Sequence, residues 1–374
     1  MKILIVSHSC TVKENQKKIE ALAALKDAQI TLLIPSEWKE PLREIRAEKT
    51  SDDNYRIITS KVFFKGHTCG FVYPPGLVRR LLKEKFDIIH LEEEPQSAVA
   101  FQFVLLNNQI SKSKVVIFTW ENIFAERRFP RSLMESYVLK SLDWLIAGNN
   151  DGRSVMGRKG YRGPADVIPL MGVDTEFFKS REENRLKESL GLAGSFVVGY
   201  IGRLVPEKGL TCLVDAVAGL RGAVKCLLVG RGPFKEEMLK RIREAGKTER
   251  FVFIDTVLHH EVPQYLNVMD CLVLPSLTTQ VWKEQFGHVL IEAMSSGVPV
   301  VGSDSGAIPE VIGDAGLVVR EGDTKGLMES IRKVMEDDGL RSGLSKKGRK
   351  RVLDNFSHEK IAERTVSIWK SMLK

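Results

Sequence analysis

The chain has 374 residues, about two and a half times the roughly 150 of a typical domain, so two domains are expected and a disulfide-stapled miniprotein is excluded. Apolar residues at 43% and charged residues at 28% are the proportions of a globular chain, which excludes a mainly disordered or fibrous one. The net charge of +8 is uneven: residues 1–172 hold 26 basic and 20 acidic side chains, residues 173–374 hold 30 and 28, so a basic first half admits an anionic partner or plain solubility.

In chain order, MKILIVSH reads as a short apolar strand and Glu14 to Leu25 as a helix. Further apolar runs follow at Ile30 to Ile34, Phe86 to His90, Lys114 to Phe118 and Asp143 to Ala147, separated by helix-length segments. Strands apolar on both faces and alternating with helices predict a parallel sheet in an α/β fold. The stretch from Arg162 to Pro169, and then Met171 to Asp174, carries the Gly and Pro punctuation of a connection. After it the pattern restarts, with strands predicted at Phe196–Gly202, Lys225–Gly230, Phe251–Ile254, Cys271–Pro275, Pro299–Gly302 and Ala315–Val319. The expected architecture is two Rossmann-like doubly wound parallel-sheet domains with the ligand in a cleft between them. A last helix is predicted over Glu359 to Leu373, after the charged stretch Arg341 to Arg351.

No apolar run approaches the ~20 residues of a membrane span, and the N-terminus turns polar too early for a signal peptide, so a cytoplasmic chain is expected. The five cysteines are scattered without a CxxC pair and read as buried free thiols, which argues against a structural zinc site.

Four loops of the second half follow strand ends. In Gly202-Arg203 through Lys208-Gly209, the glycine turns the backbone while Arg203 and Lys208 set two positive charges beside a helix start, a place for a phosphate or for solvated surface charge. Val229-Gly230-Arg231-Gly232-Pro233 lacks the third glycine of a dinucleotide fingerprint. The third loop holds Glu284 and Glu292, eight residues apart, around Phe286-Gly287-His288-Val289. The backbone N–H groups of Phe286, Gly287, His288 and Val289 are expected to form an anion hole, and a carboxylate in this setting suits vicinal hydroxyls. Glu292, embedded in Leu290-Ile291-Glu292-Ala293-Met294, is an expensive place for a charge that does nothing. The fourth loop, Gly302 to Glu310, is a Ser/Gly turn into a short helix.

The order GR-x4-KG (Gly202 to Gly209), VGRGP (Val229 to Pro233), LPS (Leu274 to Ser276), E-x7-E (Glu284 to Glu292) followed by AM-x2-G-x-PVV, and SG-x2-PE (Ser305 to Glu310) resembles the retaining nucleotide-sugar glycosyltransferases of family 4, glycosyl transferases group 1, with the GT-B fold. The resemblance spans the second half, and more loosely the first through GVDTEFF at Gly172 to Phe178. It implies an N-terminal acceptor-side domain over 1–172 with helix 357–374 packing back onto it, and a nucleotide-sugar donor-binding domain over 173–356. It also implies that Arg203 and Lys208 hold the diphosphate, Glu284 the donor sugar, Glu292 the ribose, and that Val257 lies against the base.

Where many relatives carry a glycine pair after the first strand, this chain has Ser7-His8-Ser9-Cys10-Thr11. Where many carry a histidine near residue 120 it has Phe118-Thr119-Trp120-Glu121-Asn122, which makes Glu121 and Asn122 the candidates on the reactive side, Trp120 a stacking surface and His8 a substitute.

The implied reaction transfers sugar from a UDP- or GDP-sugar to a hydroxyl of a sugar, glycan or lipid-linked acceptor, assisted by the leaving diphosphate. No cofactor or metal is required, since no Asp-x-Asp stands among the donor loops and two cations are available for the diphosphate. Two rivals remain open: a sugar-nucleotide epimerase of the same fold, and a binding-only partner subunit of an active transferase. Nucleic acid is not an expected partner, for no basic motif interleaved with aromatics appears. The basic helix near Pro74 to Lys85 reads either as a contact with an anionic membrane at its inner face or as a helix packed on its own core.

Overall fold

A computed structural model describes residues 1–39, 44–48 and 54–374, and divides the chain into two compact units: Met1–Gly172 with His358–Lys374, and Val173–Ser357.

The first unit is built on β1 (Lys2–Val6), β2 (Gln29–Pro35), the antiparallel ribbon β3 (Glu37–Lys39) and β4 (Glu44–Arg46), then β5 (Arg56–Ser60), β6 (Ile88–Leu91), β7 (Lys114–Thr119), β8 (Trp144–Ala147) and β9 (Ala165–Val167). Seven of these strands form one parallel sheet in the order β5-β2-β1-β6-β7-β8-β9. The two-residue period of a strand explains why β1 is apolar throughout. Ile3 and Ile5 enter a core shared with Ile361, Val366 and Trp369 of the closing helix His358–Met372, while Leu4 and Val6 enter the opposite core with Val78, Leu81 and Phe103.

The second unit carries β10 (Phe196–Ile201), β11 (Val224–Val229), β12 (Phe251–Ile254), β13 (Cys271–Leu274), β14 (Val300–Ser303) and β15 (Leu317–Val319), all parallel, in the order β12-β11-β10-β13-β14-β15. In both sheets the first and fourth strands are neighbours and the chain winds outward from that pair in both directions. The crevice at the carboxyl ends of such a pair is where doubly wound sheets bind ligands. It falls between β1 and β6 in the first unit and between β10 and β13 in the second.

Several details depart from the sequence reading. The stretch expected to be a plain connection contains β9, and the edge strand β5 and the ribbon were not foreseen. The helix predicted over Glu14 to Leu25 opens as a 3-10 turn, Lys13–Gln16, before the α-helix Lys17–Ala24. The charged stretch Arg341 to Arg351 lies inside the helix Asp338–Asn355. Cys10, Cys226 and Cys271 are buried, and burial pushes the Cys10 thiol up to about 11, whereas Cys69 and Cys212 are only half-buried, which corrects the expectation of five buried thiols. The basic helix is observed as Pro75–Leu82. Val78, Leu81 and Leu82 are in the core while Pro75, Gly76, Arg79 and Arg80 are exposed, so its apolar face packs on its own unit.

Candidate functional site

At the switch point of the second unit, the loop after β10 and the loop after β13 meet in an ion pair. Lys208 Nζ lies 2.5 Å from Glu284 Oε2, with side-chain exposures of only 13% and 9%. Ser276 Oγ donates to the same carboxylate oxygen at 2.8 Å, and the Lys208 ammonium sits 4.8 Å from the centre of the Trp282 ring. A lysine held this way is a preset positive charge, and the carboxylate beside it is fixed in position by two donors.

Glycines let the loops come this close. Gly306, with φ +54°, brings the loop after β14 against Glu284, whose carbonyl accepts the Ala307 N–H at 3.0 Å; a Cβ at Gly306 would stand 2.0 Å from that carbonyl oxygen. Gly209, with φ +66°, starts the helix Leu210–Gly219 directly after Lys208, and a Cβ there would lie 1.9 Å from the backbone oxygen of Pro275. Gly209→Ala is therefore expected to force the Lys208 loop and the Glu284 loop apart, because neither the left-handed backbone nor a carbonyl oxygen can yield cheaply. Thermal unfolding and binding of a nucleotide-sugar measure it. A lowered midpoint together with about tenfold weaker binding is expected, and wild-type binding would show that the two loops do not depend on this contact.

The remaining candidates spread out along the same edge. Gly202 closes β10, and its N–H donates to Val229 O at 3.0 Å. Arg203 shares the Lys208 loop, but its side chain is 66% exposed and among the described residues its guanidinium pairs only with Glu207, at 3.8 Å, so the two cations that are close in sequence occupy different surroundings. Gly287 is the left-handed N-cap of the helix His288–Ser295, and the N–H groups of His288 and Val289 occupy its first turn, where intrahelical acceptors are lacking. Phe286 is buried and its ring packs on Phe356 and His288. Glu292 lies one turn inside the helix, and burial pushes its carboxyl up to about 7, a perturbation of the kind found where carboxylates meet ligands. Val257 follows the edge strand β12 and is half-buried; no described contact joins it to the Lys208–Glu284 pair.

The first unit has its own charged pair at its own switch point. His8, just past β1, donates its backbone N–H to Glu93 Oε1 at 2.7 Å, and its Nδ1 lies 2.8 Å from Glu93 Oε2. The Glu93 side chain is buried, and the imidazole is held between the rings of Trp38 and Phe71, with centroids at 4.9 and 5.8 Å. Burial alone would lower the His8 pKa, but the charge and hydrogen bond of Glu93 outweigh it and raise it. With Nδ1 occupied, Nε2 is the ring atom left to meet a ligand.

Glu93 was not singled out in the sequence; the signal that could have found it is a carboxylate at the carboxyl end of a sheet's fourth strand. Glu121 takes a different part from the reactive role expected of it. Its Oε1 receives both Lys159 Nζ and Arg127, each at 2.7 Å, and Lys159 continues to Glu135 at 2.6 Å, so its charge is committed to a buried ion network. Asn122 is buried beside it. Trp120 packs on Phe118 and over Gly148, where a Cβ would strike the indole at 2.1 Å.

Two doubly wound parallel-sheet units define the GT-B class of fold, and solved structures agree: Anabaena HepE in complex with UDP has a TM-score of 0.77 at 21% identity, over 99% of this chain and 100% of that one. Residues 182–351 match the family Glycosyl transferases group 1. Among curated relatives, the lipopolysaccharide core biosynthesis mannosyltransferase LpsB of Rhizobium meliloti is 28% identical over 330 residues, 81% of this chain and 89% of that protein. The 2-deoxystreptamine glucosyltransferase of Streptomyces kanamyceticus is 32% identical over 199 residues, 51% of this chain and 50% of that protein.

Proposed function

We propose that this glycosyltransferase moves a sugar, with retention, from a UDP- or GDP-sugar to a hydroxyl of a glycan or lipid-linked acceptor. The observation that carries the reading is the Lys208–Glu284 pair at the β10–β13 switch point, with the helix start at His288 close to it in the same loop: a fixed cation, a fixed carboxylate and a helix N-terminus match a diphosphate joined to a polyhydroxyl ring. LpsB is named for mannosyl transfer in lipopolysaccharide core synthesis and HepE is seen with UDP, which supports a nucleotide-sugar donor.

In this reading Lys208 and Arg203 stabilise the departing diphosphate, the charge-neutralising task that requires no further cofactor. Glu284 holds the sugar hydroxyls, Glu292 the ribose, and Val257 borders the base. The bond from the sugar's anomeric carbon to the diphosphate oxygen breaks, the acceptor oxygen bonds that carbon on the same face, and the acceptor proton passes to the diphosphate. On the first unit, His8, oriented by Glu93, binds the acceptor hydroxyl; Glu121 and Asn122 shape the loop after β7.

A melting screen with UDP-glucose, UDP-galactose and GDP-mannose, followed by NMR of the anomeric configuration of the product, tests it. One donor should raise the midpoint by several degrees and give an α-linked product, while His8→Gln should raise the acceptor KM and leave donor binding intact. A β-linked product removes retention. An isomerised donor formed without any acceptor replaces transfer by epimerisation, and binding without turnover on any acceptor leaves a donor-binding partner subunit.

A further inference from the structure

The first unit displays an apolar surface that its fold does not use. Phe63 and Phe64 stand at the tip of a loop closed by the bridge between Phe63 and Val72, and they are 54% and 70% exposed. Phe64 has a φ of +57°, a costly backbone for a bulky residue. A second segment adds Phe129, 81% exposed, and Leu133, 63% exposed, at the start of the helix Arg131–Ser141. The two segments are neighbours, for Phe64, His67 and Arg131 line one open hollow of 670 Å³.

The rim is basic. Lys61, Lys65, Arg128 and Arg131 are all exposed. Lys65 is shared by Glu37 and Glu44, while Lys61, Arg128 and Arg131 have no ion-pair partner among the described residues; Glu126 is an exposed acid within the second segment. Four large apolar side chains raised together on loop and helix tips, with cations around them, have the composition of an interfacial anchor: rings for the acyl boundary, cations for the headgroups. The hollow between Phe64 and Arg131 is open, with Gly66, His67, Thr68 and Gly70 on its walls, and the cations around the exposed rings complement an anionic surface.

We propose that the first unit docks on an anionic lipid bilayer through Phe63, Phe64, Phe129 and Leu133, with Lys61, Arg128 and Arg131 at the headgroups. This goes with a lipid-linked acceptor in the function proposed above, yet it stands on a surface that contains none of the donor residues. It also replaces the Pro75–Leu82 helix as the membrane-facing element, since that helix buries its apolar side.

The test is co-sedimentation of the full chain with vesicles of phosphatidylcholine alone and of phosphatidylcholine with phosphatidylglycerol. The wild type should partition onto the anionic vesicles. Phe63→Ser/Phe64→Ser and Phe129→Ser/Leu133→Ser should each lower partitioning at least about tenfold, and Arg128→Glu/Arg131→Glu should abolish the preference for phosphatidylglycerol. The nucleotide-sugar melting shift is read on every variant and should match the wild type; its presence separates failure of this proposal from failure of the donor reading. Equal partitioning of variants and wild type, equal partitioning on neutral and anionic vesicles, or serine variants that instead break a dimer seen by light scattering would each overturn the proposal.

Discussion

Lys208→Met and Glu284→Gln should each lower kcat/KM for sugar transfer by about 10²-fold or more while leaving the second unit folded. Lys208 and Glu284 are 2.5 Å apart and little exposed, so each fixes the position of the other before any ligand arrives. The glutamine keeps the shape of Glu284 and can still meet Ser276, but it loses the charge that holds Lys208 and accepts hydroxyl donors less well. The methionine keeps the length of Lys208 and removes the charge. Both changes strike charge stabilisation that grows as the diphosphate leaves, so kcat falls along with affinity. Arg203→Ala provides the contrast. Its exposed side chain supports neither the fold nor Glu284, so any loss there reports ligand contact alone, and a smaller effect of about tenfold is expected. Initial rates with the donor found in the melting screen decide the matter. Turnover within twofold of wild type in both Lys208→Met and Glu284→Gln, with unchanged melting, would remove the pair from the site.

The sheets were legible because their strands read as unbroken apolar runs, most of them buried on both faces, and even the half-buried β12 and the short β15 keep such a run. The pieces that escaped are those in which polar residues break the run. β5 is Arg-Ile-Ile-Thr-Ser at a sheet edge with no residue fully buried, and β9 is three half-buried residues inside a stretch rich in Gly and Pro.

The site divides the same way. Motif order marks the loops after β10, β13 and β14, but not which side chains turn inward: Arg203 and Lys208 look equivalent in sequence, and only the Pro275 carbonyl against Gly209 and the carboxylate across the switch point set Lys208 apart. The Glu92-Glu93-Glu94 run is the plainest case. Successive residues past a strand end turn to different sides, so Glu92 goes to Lys18, Glu93 to His8 and Glu94 to Thr119 and Trp120. Three adjacent acids thus enter three separate networks, which one-dimensional charge counting cannot reveal. The basic excess of the first half has a similar answer. The buried pairs at Lys18 and Lys159 cancel within the count and leave that excess unchanged, while cations without an ion-pair partner among the described residues, such as Lys61, Arg128 and Arg131, stand outside.

Glu92→Gln and Lys18→Met should be the most damaging changes to the stability of the first unit, about 3–5 kcal/mol each. Lys18 Nζ and Glu92 Oε2 are 2.5 Å apart, with both side chains at 3% exposure, beneath the helix His358–Met372. They line, with His90 and Thr365, a cavity of 20 Å³, room for about one water. Removing either charge leaves the other buried without a counter-charge, whereas Lys18→Met/Glu92→Leu removes both and should recover most of the loss. Chemical denaturation followed by tryptophan fluorescence reads mainly this unit, which holds Trp38, Trp120, Trp144 and Trp369, with Trp282 alone in the other. Single changes that cost less than about 1 kcal/mol, the size of a surface pair, would show that solvent reaches the pair.

The same cluster fixes an acid limb. Burial would raise the Glu92 pKa, but Lys18 more than offsets it, so the folded pKa lies below 4.5; that contribution is present above 4.5 and is lost as pH falls through the folded value. His90, buried against Trp369 with both ring nitrogens lacking a partner among the described residues, is pulled down to about 4. The unfolded chain therefore takes up this proton near pH 6.5 and the folded one near 4, and about 3 kcal/mol drains away across that window. Glu94 acts in the opposite sense. Burial holds its carboxyl near 7, so its share is present in acid and is lost as pH rises from 4.5 to 7. A wild-type profile is the sum of these limbs, and His90→Gln isolates one of them. Its stability should fall less steeply than wild type between pH 6.5 and 4, and parallel profiles would mean that His90 is hydrated and titrates normally.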